Sequence, residues 1–193
     1  EYFQSGENEI TKAANAFEIN EAAAFEPAAD FIKHRFSTND STSLQQKALL
    51  IYQEILQFHI DDAKPDAFID ADILRLQFVY RKAVMENKEE LYRMALNHIA
   101  KQYPKYPAAA QASYLLAETY RIAAAKYNPL KDTTNRFEYI KAKQICEEVL
   151  IQKDSSEGFV NCYNLLQLIN QQQLTLTTEK VNIPGQPFRS LVS

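Results

Sequence analysis

Glycine is scarce in this chain, with three among 193 residues. A phosphate-cradling loop needs several glycines in close order, so nucleotide sites of that kind are excluded. Positive charge is short as well. Twenty-one Lys and Arg face 25 Asp and Glu, and the net charge of −4 leaves no basic footprint for nucleic acid. No apolar run approaches the ~20 residues that cross a bilayer, so no membrane contact is expected of this segment. The three histidines, His34, His59 and His98, have no second His or Cys at ligand spacing. His59-Ile60-Asp61-Asp62 comes nearest, but its residues point in different directions at a helix end, where His59 serves as a solvated cap. No serine stands in a nucleophile-elbow context. The only cysteines, Cys146 and Cys162, lack a basic neighbour that would favour a thiolate. No metal, cofactor or catalytic residue is expected, and the chain does not read as an enzyme.

What is present is helical pattern. Residues 7–43 read as an extended arm that drops Phe17, Phe25 and Phe31 onto the helices, with a short helix near 28–36. Ser43-Leu44-Gln45-Gln46 is a capping box, and the helix it opens should bury Ala48, Ile51, Ile55 and Phe58. A second helix follows Asp66, with Ile69, Ile73, Leu76 and Tyr80 on one stripe; Asp66, Asp70 and Asp72 suit the dipole at its start. Asn87-Lys88-Glu89-Glu90 caps a third helix, whose stripe is Leu91, Ala95, Ile99 and Tyr103. A fourth covers about 108–127, a fifth starts at 135–138, and Asp154-Ser155-Ser156-Glu157 caps a sixth carrying Phe159, Tyr163, Leu166 and Ile169. The links are short apart from 128–135, so consecutive helices should form antiparallel hairpins.

The hairpins fit a tetratricopeptide frame, which recurs every ~34 residues. Ser113, Leu116, Ala117 and Tyr120 carry the first-helix pattern; Ala142, Cys146 and Asp154, and before them Ala95, Ile99 and Pro107, hold second-helix positions. Ala117 and Ala142 are 25 residues apart, about twice the regular spacing, which marks 128–135 as an insertion. The fold expected is all-α: tetratricopeptide-like hairpins over 44–173, an irregular N-terminal arm and a C-terminal β tail. An irregular helical bundle is the structural alternative.

In such repeats the first helix faces the concave side, which puts Gln111, Tyr114, Glu118 and Arg121 on a stripe where a peptide or protein could bind. The plainer reading is exposed polar residues with one tyrosine packed on a neighbour. Cys146 and Cys162 likewise admit two readings: two buried thiols, or a disulfide between adjacent helices in an oxidising compartment.

After residue 173 the pattern changes. Residues 174–181 (LTLTTEKV) alternate like a strand, Pro184-Gly185-Gln186-Pro187 makes a turn, and FRSLVS follows. A lone strand pair does not support itself in water, so 174–193 reads as the first strands of a truncated β-sandwich domain. Its apolar residues should lie against the helices or pair with a neighbouring chain. At the other end, residues 1–6 (EYFQSG) resemble the end of a viral-protease tag-removal site and read as a tag remnant.

Several stretches resemble the N-terminal helical region of Bacteroidetes-type alpha-2-macroglobulin family proteins: 44–53 (LQQKALLIYQ), 65–79 (PDAFIDADILRLQFV), Glu157-Gly158 with Asn161-Cys162, and 181–189 (VNIPGQPFR). The arm over 11–31 is similar to that family's approach to the helices. The resemblance implies a helical region preceding a string of macroglobulin-like β-sandwich domains, and a periplasmic, cell-envelope or secreted protein. It implies that the whole protein is a broad-spectrum protease trap, with proteases as targets and its own further domains as this region's partners. The family's thioester motif, of Cys-Gly-Glu-Gln type, is absent, so neither Cys146 nor Cys162 takes that role, and the bait segment is absent too. This region is then a non-catalytic scaffold. A freestanding peptide-binding adaptor is the competing reading.

Overall fold

The computed structural model describes residues 15–128, 133–153, 155–171, 176–178, 185 and 190–192. The described residues form seven α-helices: α1 (Ala28–Phe31), α2 (Leu44–His59), α3 (Asp66–Lys82), α4 (Lys88–Gln102), α5 (Ala109–Ala124), α6 (Glu138–Ile151) and α7 (Glu157–Asn170). A 3-10 turn at Ala22–Phe25 precedes them. From α2 onward each helix packs on the next, and α5 also meets both α3 and α7. Among the described residues up to 171, all the regular secondary structure is helical.

Two apolar clusters share α5. The larger joins the arm to α2, α3, α4 and one side of α5; the smaller holds Ala110 and Ala117 of α5, Ala142, Cys146 and Val149 of α6, and Cys162 and Leu165 of α7. Small residues let these three helices approach closely. Gly158 is the extreme case, since a Cβ there would collide with the backbone of Ala110 and Gln111.

The arm packs as its aromatic residues predict. Phe17, Phe25, Phe31 and Phe36 are all buried, each contributing about 1.5–3 kcal/mol of apolar burial. Side chains from the helices then hold its backbone. Gln53 Nε2 donates to the carbonyls of Phe31 and His34, both at 2.7 Å, and Gln46 Nε2 donates to that of Phe36 at 2.8 Å. The short helix ends at Phe31, earlier than the sequence reading placed it.

Three local expectations need correction. Ser43 Oγ does accept from the amide of Gln46 at 3.2 Å, but the Gln46 side chain goes to Phe36, so only half the capping box forms. In α2 the buried stripe is Ala48, Leu49, Tyr52 and Leu56, while Ile51 and Ile55 are over a third exposed and Phe58 is 79% exposed. Both sets fit one face of a helix, and the arm and α3 settle which face is covered. Asn87 lies at the start of α4 without a side-chain cap bond; Glu89 and Glu90 in the first turn face the dipole instead.

The sixth expected helix, α7, starts where predicted, with Ser156 Oγ accepting from the amide of Phe159 at 3.3 Å; Asp154 lies outside the described residues. Its core side is Gly158, Cys162 and Leu165, Tyr163 is 51% exposed, and Phe159, Leu166 and Ile169 flank the small cluster. In the tail, β1 (Leu176–Thr178) and β2 (Ser190–Val192) pair antiparallel with each other, Leu176 opposite Val192 and Thr178 opposite Ser190. Gly185, at φ 77, supplies a left-handed position between them. The rest of the tail and residues 1–14 fall outside the described residues.

Candidate functional site

Helix α5 carries two opposed faces, and each borders a hollow. One face holds the predicted stripe. Gln111 Oε1 accepts from Nδ2 of Asn161 on α7 at 3.1 Å. Tyr114 is half-buried against the small cluster; burial, and then the Glu118 carboxylate, push its phenol pKa up. Arg121 grips Glu118 through two hydrogen bonds, Nε to Oε2 at 2.7 Å and Nη2 to Oε1 at 2.6 Å. This pairing holds the Arg121 pKa above its ordinary value. Both side chains remain over a quarter exposed. Arg121 also borders a cleft of about 480 Å³ with Tyr139, Leu168 and Gln171. The four residues therefore share one face, but Gln111, Glu118 and Arg121 already have partners within the chain.

The opposite face of α5 floors a larger groove, about 720 Å³, between α4 and α6. Leu116 and Tyr120 form the floor with Ile145; Arg93 rises from one wall and Lys141 from the other. Both cations lie over the same tyrosine ring, with the Arg93 guanidinium 4.5 Å and the Lys141 ammonium 5.4 Å from the Tyr120 centroid. Arg93 is held in place by Glu89 at 2.7 Å, by Thr119 Oγ1 at 3.0 Å and by the Thr119 carbonyl at 3.0 Å. Glu90 and Glu148 add carboxylates to the rim. Sequence reading missed this groove, because its walls come from helices about 50 residues apart. The available signal was Tyr120, which a helical wheel sets opposite Gln111.

A third hollow, about 240 Å³, lies where the arm crosses α3 and α4, bordered by Phe25, Asp72, Arg75 and His98. Arg75 is fully buried. It donates from Nε to Asp72 Oδ1 at 2.8 Å, from Nη1 to the Ala24 carbonyl at 2.7 Å and from Nη2 to the Glu26 carbonyl at 3.0 Å. Its guanidinium also lies 4.3 Å from the centroid of the Phe31 ring. Asp72, read from sequence as a helix-start charge, is instead the buried counter-ion of the residue that clamps the arm.

His59 pairs through Nδ1 with Asp62 at 2.7 Å, and His34 through Nε2 with Glu21 at 2.7 Å. Among the described residues, no group of three or more His, Cys, Asp or Glu side chains is placed to hold a metal ion. No helix among them is long and apolar enough to cross a membrane. In comparisons with family models, curated proteins and solved structures, the chain matches none.

Proposed function

We propose that this chain is a non-catalytic helical scaffold and interaction region of an exported alpha-2-macroglobulin-like protease inhibitor, with tetratricopeptide-like hairpins. The observation that carries the reading is where the resembling residues sit. Stretch 44–53 contains Gln46 and Gln53, which hold the arm's carbonyls. Stretch 65–79 contains Asp72 and Arg75, which clamp Ala24 and Glu26. Gly158 and Asn161 form the contact between α5 and α7. The resemblance thus falls on residues that join arm to helices and helix to helix. That is the pattern of a framework, since a binding module would place its characteristic residues in an open groove. The arm's occupation of α2, α3 and α4 supports the same reading, because it covers surface that an adaptor would leave free.

In this reading the region positions the trap's β-sandwich domains, and inhibition belongs to segments outside it. Reading the parent reading frame tests the identity: a run of β-sandwich domains should follow, and their absence sinks it.

A second reading rests on the groove between α4 and α6. Its apolar floor and paired cations over Tyr120 fit a protein or peptide partner, which would make the chain an adaptor. A peptide-array screen in which Tyr120→Ala and Lys141→Ala abolish a common hit would favour it. A hit abolished instead by Tyr114→Ala and Arg121→Ala would move the site to the other face.

A further inference from the structure

Cys146 and Cys162 are both fully buried, and both belong to the small cluster where α6 meets α7. Cys146 stands five residues before the end of α6 and Cys162 five residues after the start of α7, the next helix. In a hairpin that spacing sets them at the same level of the seam, and each thiol is the first influence on the other's pKa, Cys162 drawing that of Cys146 down and Cys146 pushing that of Cys162 up. Around them stand Ala110, Ala117, Ala142, Val149 and Leu165, with Tyr114 packed at the edge of the cluster. We propose that Cys146 and Cys162 are a disulfide-forming pair that locks α7 onto α6.

The two helices are already packed together, so the thiols share one buried seam, and a disulfide needs their Cα atoms within about 7 Å. The oxidant is a disulfide, either a small-molecule disulfide or that of a thiol–disulfide oxidoreductase. The Cys146 thiolate attacks one of its sulfurs, forming a mixed disulfide and releasing the first oxidant thiol. The Cys162 thiolate then attacks Cys146 Sγ and expels the second. Two electrons and two protons leave the cysteines, the oxidant's disulfide becomes two thiols, and one Sγ–Sγ bond remains. Either cysteine can be the first nucleophile, and the product is the same. Because both sulfurs are covered, the exchange takes place while α7 is undocked, during folding or local opening. Once α7 docks, burial protects either redox state.

The test is refolding of the full chain from guanidinium, once in a mixture of oxidised and reduced glutathione and once in a phosphine reductant. Each sample is then alkylated under denaturing conditions. The glutathione sample should have a mass two hydrogens lower before alkylation, resist alkylation, and yield one cross-linked peptide containing both cysteines. Its Tm should exceed that of the reduced sample by about 5–10 °C, the effect of closing a loop this short in a chain this long. Folded reduced protein should react with oxidised glutathione at least a hundredfold more slowly than the unfolded chain. Cys162→Ala serves as the control and should lose the cross-link without losing helical circular dichroism. Full alkylation of both cysteines, glutathione adducts or intermolecular dimers in place of the internal bond, or a lower Tm in the cross-linked form would overturn the proposal.

Discussion

Arg75 reaches back 51 residues to donate a 2.7 Å hydrogen bond to the carbonyl of Ala24. That contact, with its companion at Glu26, is how a helix near the start of the stack holds an arm with little regular structure. Removing the guanidinium leaves the Asp72 carboxylate buried without its partner and two carbonyls short of a donor. Arg75→Ala should therefore cost about 3–5 kcal/mol in urea unfolding. The double variant Arg75→Leu with Asp72→Leu, which removes both charges, should recover part of that loss. A single variant as stable as the parent chain would mean the clamp is ornamental.

Gly158 offers a test of opposite expectation. In an ordinary helix, replacing Gly by Ala stabilises by about 1 kcal/mol. Here the added methyl meets the backbone of α5, so Gly158→Ala should destabilise by roughly 1–3 kcal/mol and speed hydrogen exchange in α7. A gain in stability would show that α5 and α7 do not approach as described.

The orientation of α2 can be read from a pair of variants. Phe58 is 79% exposed and Leu56 fully buried. Phe58→Gln should stay within about 0.5 kcal/mol of the parent chain, while Leu56→Ala should cost about 2–5 kcal/mol. Equal penalties would mean that α2 is rotated toward the stripe read from sequence.

Alkali should unfold the protein through its tyrosines. Tyr92 is buried and stacks on Tyr80 with ring centroids 4.4 Å apart. Burial, and then the neighbouring Tyr80, raise the Tyr92 phenol pKa above its ordinary 10. A folded-state pKa above the unfolded one means the folded state holds the proton longer. The stability this contributes is complete below pH 10 and declines as the pH rises toward the folded pKa. Tyrosinate absorbance should lag in the folded chain and appear with loss of helix, and Tyr92→Phe should flatten the alkaline limb. A Tyr92 that ionises in the folded state at pH 10 would contradict its burial.

Much of the helical layout was legible because its signals are local. Ser43 and Ser156 announce helix starts within three residues of the amides they cap, and the arm's phenylalanines mark it as buried without any periodicity. The face of α2 was not legible: 48, 51, 55 and 58 advance in steps of three and four, as 45, 49, 52 and 56 also do, and only the arm's position decides between them. Arg75 read as one more helical charge because its partners at Ala24 and Glu26 lie about 50 residues away. The stripe on α5 follows from residue spacing alone, but its commitments to Asn161 and within the Glu118–Arg121 pair depend on tertiary packing and side-chain rotamer. The groove over Tyr120 needs Arg93, Tyr120 and Lys141 from three different helices, which no single-segment pattern joins.

The most direct test of the scaffold account is a protease-shielding assay. A protease is incubated with the parent protein or with this helical chain alone, and its activity is followed on a large protein and on a small chromogenic peptide. The account predicts that the parent protein suppresses cleavage of the large substrate while sparing the small one, as a trap does, and that the helical chain alone changes neither. Inhibition by the isolated helical chain, on either substrate, would contradict it.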